Sequence, residues 1–202
     1  MEKISDIKTL TEEELKNWLK EVGEKPFRAD QIRNRLFCGQ VKSFDAMETI
    51  PAALREKLSA NFRITSLEEA KRLLSEDGTV KWLYRTHDGY HIETVLIPTN
   101  DRFSVCVSTQ IGCAQNCAFC RTAKMGFIRN LEAGEILEEI IRVNWYLEET
   151  GTKHSDGSLA KVTNIIFMGM GEPLNNLEQV HRVCCTLHHQ KLFNLGRKRM
   201  TI

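Results

Sequence analysis

The 202-residue sequence contains no apolar run approaching the roughly 18 residues that a membrane span requires. Its opening, Met1 to Asp6, lacks the basic-then-apolar pattern of a secretory leader, so no membrane partner is expected and the cytoplasm is the expected compartment. Charge of one sign is missing as well: 28 Lys and Arg against 27 Asp and Glu leave a net charge of +1. Any phosphate-binding surface must then be a local patch rather than a property of the whole chain. There is no internal repeat and no low-complexity tract, and the six histidines show no ligand spacing. An even cysteine count is also absent. Seven cysteines in a chain without an export signal argue against a disulfide framework and for metal or redox chemistry.

What is present is a packable chain, 42% hydrophobic, whose patterning changes along its length. Thr11 followed by Glu12, Glu13 and Glu14 predicts a helix start, and Leu15, Trp18, Leu19 and Val22 recur at helical spacing until Gly23. A second helix is expected from Phe27 to Gly39, with Ile32, Leu36 and Phe37 inward. A third is expected from Pro51, carrying Leu54, Leu58 and Phe62, with a helical turn at Phe44–Met47 joining the two. Residues 1–75 thus read as a small helical domain. Thr79–Thr86 and Tyr90–Ile97 read as strands joined by His87-Asp88-Gly89, a hairpin signal that makes 76–100 a connector.

Beyond it the elements alternate. Phe103–Thr109 reads as a strand, Leu131–Glu148 as a helix capped by Asn130, Lys161–Gly169 as a buried strand, Leu177–His189 as a helix capped by Asn176, and Arg199–Ile202 as the opening of a third strand. Such alternation implies an α/β fold with a parallel sheet and right-handed crossovers over 101–202. Two to three βα units neither close a barrel nor cover a sheet, so the chain is expected to be the N-terminal fragment of a larger protein, inactive alone.

Cys113, Cys117 and Cys120 have the spacing C-x3-C-x2-C in the loop after the first strand of this array. Thiolates at such spacing hold iron–sulfur clusters, and three of them leave one iron open to an external ligand. Gly112 permits a sharp turn into the loop, and Phe119 is expected to shield the cluster from water. The alternative is structural zinc, which wants four closed ligands; Cys106 could be the fourth. Cys106 itself shares a strand face with Ser104 and Ser108, opposite Phe103, Val105 and Val107, and a lone strand cysteine is more often inert core. Glu93 shares its face with Val95 and Ile97, where an edge open to water is the plainer reading. Gly169-Met170-Gly171-Glu172-Pro173 follows a strand at its C-terminal end, where ligands of parallel βα folds bind, although a turn with a solvated glutamate would look the same. Cys38, Cys184 and Cys185 read as core. Lys124, Arg129, Lys191, Arg197, Lys198 and Arg199 are candidates to hold phosphates, each also explicable as solvated surface.

The run from Cys106 through Cys120 to Leu131 resembles the radical SAM signature and, more closely, the RlmN family of adenine carbon-2 methyltransferases acting on rRNA and tRNA. Pro26-Phe27-Arg28-Ala29-Asp30-Gln31 and Met168-Gly169-Met170-Gly171-Glu172-Pro173-Leu174 match that family too. The resemblance implies a partial (β/α)6-type barrel, its first two to three βα units, preceded by the helical domain, which would dock RNA, and by the hairpin. It implies a 4Fe-4S cluster on Cys113, Cys117 and Cys120, S-adenosylmethionine held by Gly171 and Glu172, and Glu93 as proton acceptor near the adenine. Cys106 would release product by forming a disulfide with a methyl-carrying cysteine near the family's C-terminus, which no residue here matches. An electron donor such as flavodoxin or ferredoxin and a monomeric full-length enzyme are further implications. A branch methylating adenine carbon 8 shares the core motifs, though the Gly-Glu-Pro and Pro-Phe-Arg matches favour carbon 2. A non-catalytic zinc-binding RNA module is the reading from another class.

Overall fold

The computed structural model describes residues 5–202, so the first four residues of the expected helical domain lie outside the described residues. A short strand β1 (Ser5–Asp6) precedes the helices α1 (Glu12–Glu21), α2 (Arg28–Phe37) and α3 (Ala52–Asn61), and pairs in parallel with β2 (Phe62–Arg63). The α1 start is a reciprocal cap, as Thr11 and Glu14 suggested. The Glu14 amide donates to Thr11 Oγ1 at 3.2 Å and the Thr11 amide to the Glu14 carboxylate at 2.7 Å. Leu15, Leu19, Ile32, Leu36, Phe37, Leu54 and Leu58 are buried together, the faces that the helical spacing indicated. Phe44–Met47 forms a hydrogen-bonded turn, closed by the Met47 amide on the Phe44 carbonyl, rather than a helix.

Residues 1–75 are not helical throughout. Leu67–Leu74 is a strand, β3, which pairs antiparallel with β4 (Val80–Thr86); β4 in turn pairs with β5 (His91–Thr99) through the Asp88-Gly89 turn. The sequence hid β3 because it lies at the edge of the sheet. Only Leu67 is buried there, and Glu68, Glu69, Lys71 and Arg72 give a charged, solvated run with no apolar alternation. β6 (Arg102–Cys106) continues the antiparallel order on β5, after which β9 (Asn164–Ile166) and β10 (Met200–Thr201) add in parallel. The result is one mixed six-stranded sheet, β10-β9-β6-β5-β4-β3, in which the hairpin is continuous with the βα array. The helices α4 (Ala133–Glu149) and α5 (Leu177–His188) are the predicted crossovers. Glu132, not Asn130, caps α4, because Glu132 and Glu135 form the reciprocal pair with the helix amides.

Ile92, Thr94 and Leu96 of β5 and Phe103 and Val105 of β6 are buried on one face of the sheet, and Trp82 of β4 meets Tyr146 of α4 edge-on at 5.2 Å between ring centres. The opposite face carries the partly exposed set: Glu93 and Val95 of β5, Ser104 and Cys106 of β6, Asn164 and Ile166 of β9. The N-terminal segment is fastened to α4 by a buried polar seam. Lys8 Nζ lies 2.9 Å from Asp6 and 3.2 Å from Glu138, and also donates to the Ile64 carbonyl. No helix among the described residues is long and apolar enough to cross a membrane.

Candidate active site

The strand predicted over Phe103–Thr109 ends at Cys106, and the chain then enters a two-stranded ribbon that periodicity did not announce. Here β7 (Gln110–Gly112) pairs antiparallel with β8 (Phe127–Asn130). All three motif cysteines hang from the loop this ribbon closes. At its neck Gly112 has φ +71°, and a Cβ there would stand 1.7 Å from the Gly126 carbonyl oxygen, which accepts from the Cys113 amide at 3.1 Å. Only glycine fits. Cys113 is buried, Cys120 half-buried and Cys117 exposed, and none of the seven cysteines is in a disulfide. Hydrogen bonds from the Ala123 amide, then from Thr122, hold the Cys120 thiol below its ordinary pKa of 9.0 against the opposing effect of burial. Among the described residues no three His, Cys, Asp or Glu side chains converge on a single metal-ion position. Three unpaired thiols on one loop, that of Cys120 lowered in pKa by its hydrogen bonds, are nonetheless a donor set that fits an iron–sulfur cluster. Phe119 does not shield the loop in this structure: it is 93% exposed, packed on no core.

Cys106 sits between Val95 of β5 and Ile166 of β9 in the register of the sheet. Burial raises its thiol pKa, and the Met168 amide donates a hydrogen bond to it. It is therefore a neutral thiol on the open face, next to the loop that follows β9. Glu93 shares that face but is neither buried nor free; its carboxylate pairs with Lys81 at 2.7 Å, both side chains a little over two-fifths exposed. The Gly-Glu-Pro loop is locked by backbone contacts. The Gly169 amide donates to the Val107 carbonyl at 3.0 Å, and a Cβ on Gly169 would meet that carbonyl at 2.6 Å. Gly171 has φ +98° and lies against Gln110. Glu172 caps the following turn through Leu174, 3.1 Å away. Cys106, the cysteine loop and Glu172 thus cluster at the C-terminal ends of β6 and β9, while Glu93 lies across the same face on β5.

Sequence reasoning missed four polar residues that hold this cluster. Ser108 is fully buried: its hydroxyl donates to the Glu93 carbonyl at 2.7 Å and accepts from the Met170 amide at 3.0 Å, and its own amide donates to Glu139 at 3.1 Å. Glu139, on α4, also accepts from the Thr94 hydroxyl, and its other carboxylate oxygen has no protein partner. Burial raises its pKa well above 4.5. Asn176 stands at the N-cap position of α5, as expected, but its side chain makes no cap bond and donates instead to the Thr109 and Leu131 carbonyls. Gln110 ties the ribbon to the Gly-Glu-Pro loop. No charge pattern or spacing marks such residues, although a glutamate placed among Ile136, Ile140 and Val143 on the apolar face of a helix is a signal that could have found Glu139.

Two further expectations are corrected. Arg129 is not available to phosphate: its guanidinium is engaged by Asp88 at 2.7 and 2.9 Å and by Glu135 at 2.7 and 2.8 Å. Cys38 and Cys185 are exposed rather than core, and Cys184 is half-buried, because the helix places the adjacent pair across the boundary of its apolar face.

The crystal structure of a radical SAM methyltransferase from Sphaerobacter thermophilus superposes with a TM-score of 0.87 at 38% identity, covering 97% of this chain and 55% of that one. The mixed sheet of this chain is therefore of the kind found in a radical SAM methyltransferase. Residues 5–64 match the ribosomal RNA large subunit methyltransferase N-terminal domain. The chain is 43% identical over 189 residues to a probable dual-specificity RNA methyltransferase RlmN of Bacillus pumilus, covering 94% of this chain and 50% of that protein. It is 42% identical over 197 residues to the dual-specificity RNA methyltransferase RlmN of Anaeromyxobacter dehalogenans, covering 98% and 52%. The chain is thus similar over nearly its whole length to proteins of the RlmN family, and it spans about half the length of the curated relatives it matches.

Proposed function

We propose that the protein acts in the radical SAM methylation of carbon 2 of an adenosine in large-subunit rRNA and in tRNA. The observation that carries this reading is the cysteine ribbon standing beside Cys106 and the Gly-Glu-Pro loop at the C-terminal ends of parallel strands. In this reading the sheet is the opening part of a (β/α)6-type barrel and the helical segment up to Asn61 docks RNA. Cys113, Cys117 and Cys120 would hold a 4Fe-4S cluster, and Gly171 and Glu172 the amino-acid end of S-adenosylmethionine. When bound, the two together supply the one-electron radical chemistry that an unreactive ring carbon requires.

The chain's own groups then have separate tasks. Glu172 accepts hydrogen bonds from the cofactor ammonium, its backbone already fixed by Gln110 and its carboxylate by Leu174. Cys106 stays protonated until a second, methyl-carrying cysteine, matched by none of these residues, requires a disulfide partner. Glu93 serves as proton acceptor once Lys81 moves aside; a half-exposed pair of this kind is worth about 0–1 kcal/mol, so releasing it is cheap. The adenosine must be unpaired, since its carbon-2 edge is unreachable inside a stacked helix. A cytoplasmic monomer reduced by a flavodoxin or ferredoxin completes the reading.

The test is anaerobic reconstitution, with iron and sulfide analysis, followed by mass spectrometry of RNA from cells with and without the gene. About four irons and four sulfides per chain, and loss of 2-methyladenosine in the deletion, are expected. A colourless protein holding one zinc, or a lost mark at carbon 8, would sink it.

A further inference from the structure

Gln110 lies on the ribbon that carries the cysteines and packs on the backbone of Gly171 and Glu172, without being one of the residues assigned above to hold the cluster or cofactor. It is 1% exposed. Its side-chain oxygen accepts from the Glu172 amide at 2.8 Å, and its side-chain nitrogen donates to Asn130 Oδ1 at 2.8 Å on the opposite strand of the ribbon. Its own amide reaches the Met170 carbonyl at 3.1 Å. The stem of the side chain fills the space where a Cβ of Gly171 would be, 2.5 Å from Gln110 Cβ. Asn130 extends the link, its amide pointing to the Asn175 carbonyl at 3.4 Å. One buried carboxamide therefore joins both strands of the ribbon to the backbone of Glu172. A glutamine suits the place because it offers an acceptor to a main-chain N–H and a donor to a carboxamide oxygen, leaving neither buried group unpaired.

We propose that Gln110 is a positioning residue for S-adenosylmethionine: it sets the separation between the cysteine loop and Glu172. The inference rests on the reading of these loops given under Proposed function. A cofactor that must reach the cluster with one end and Glu172 with the other binds only where those two anchors stand the right distance apart. Without the clamp the loops keep their own backbone bonds, from Thr109 and Gln110 to Met170 and from Gly169 to Val107, but the Glu172 amide loses its partner and the loop its register.

The experiment uses the anaerobically reconstituted protein and titrates S-adenosylmethionine into the reduced cluster, read by the change in its electron paramagnetic resonance spectrum. Gln110→Met preserves length and removes both hydrogen bonds; Gln110→Glu preserves the acceptor for Glu172, and Asn130 can turn its amide to donate. The expected result is a Met variant with the parent's iron and sulfide content and cofactor-free spectrum, binding the cofactor at least about tenfold more weakly. The Glu variant should return to within about threefold of the parent. Equal affinity in the parent and the Met variant would overturn the proposal, as would loss of iron in both variants, which would make Gln110 a folding residue only. A parent that holds no cluster fails at the earlier reading, and this one falls with it.

Discussion

Glu139 lies on the underside of the sheet with no contact with water, one oxygen bonded to Thr94 and Ser108 and the other unpartnered. Its raised pKa has a definite sign of consequence. The folded state holds the proton more tightly than the unfolded chain. The stabilisation is therefore complete below the ordinary carboxylate value of 4.5 and drains away as pH climbs towards the folded pKa. Glu139→Gln keeps the shape and cannot ionise, so its unfolding midpoint should fall less steeply with rising pH than the parent's above pH 4.5, measured by urea titration at a series of pH values. Glu139→Ala should cost about 2–4 kcal/mol, for the cavity and for two polar groups left without a partner. At the ribbon neck the constraint is steric. Gly112→Ala cannot be built without moving the Gly126 carbonyl, and should lower both the thermal midpoint and the iron retained after reconstitution, by well over ~1 kcal/mol in stability.

The ribbon and the hairpin are held to one another through Arg129, which binds Asp88 in the β4–β5 turn and Glu135 in the first turn of α4. Glu135 is wholly buried, so removing the guanidinium leaves its carboxylate away from water with the Glu132 amide at 2.9 Å and His87 at 3.5 Å as its remaining partners. Arg129→Met should destabilise by about 3–5 kcal/mol in denaturant unfolding, and adding Glu135→Gln should recover a large part of it. Elements of this kind separate what the sequence discloses from what it conceals. The capped helix at Thr11, the Asp-Gly hairpin and the two crossover helices were legible because local chemistry and tertiary burial agree there. β3 and the ribbon were not: one is a charged edge, and the other consists of strands only three and four residues long whose pairing is set by Gly112 and by side-chain amides. The site residues divide in the same way. The candidate cysteines stand out by their spacing and Glu172 by its place after a strand, whereas Ser108, Gln110 and Asn176 act through carbonyls and amides that only folding brings near.

Across the whole molecule, the N-terminal unit and the sheet meet through charge rather than through a flexible joint. Asp6, Lys8 and Glu138 are all but inaccessible, Ser66 donates its amide to Glu138 at 2.6 Å, and the Gly134 amide donates to Thr9 at 3.0 Å. Lys8→Met should leave two carboxylates facing each other in a dry seam. A loss of about 3–5 kcal/mol is expected, with faster amide exchange in β2 and the first turns of α4 than in β4 and β5, read by hydrogen exchange mass spectrometry. Uniform exchange across the sheet would show that the seam is not what couples the two parts. The crossing of Gly169 over Val107 has a different bearing. Two main chains meet there with nothing between them, so the spacing cannot be tuned by choosing a larger or smaller side chain. Anyone wishing to change the separation of these two loops would find no dial at residue 169, and would have to turn the neighbouring carboxamide instead.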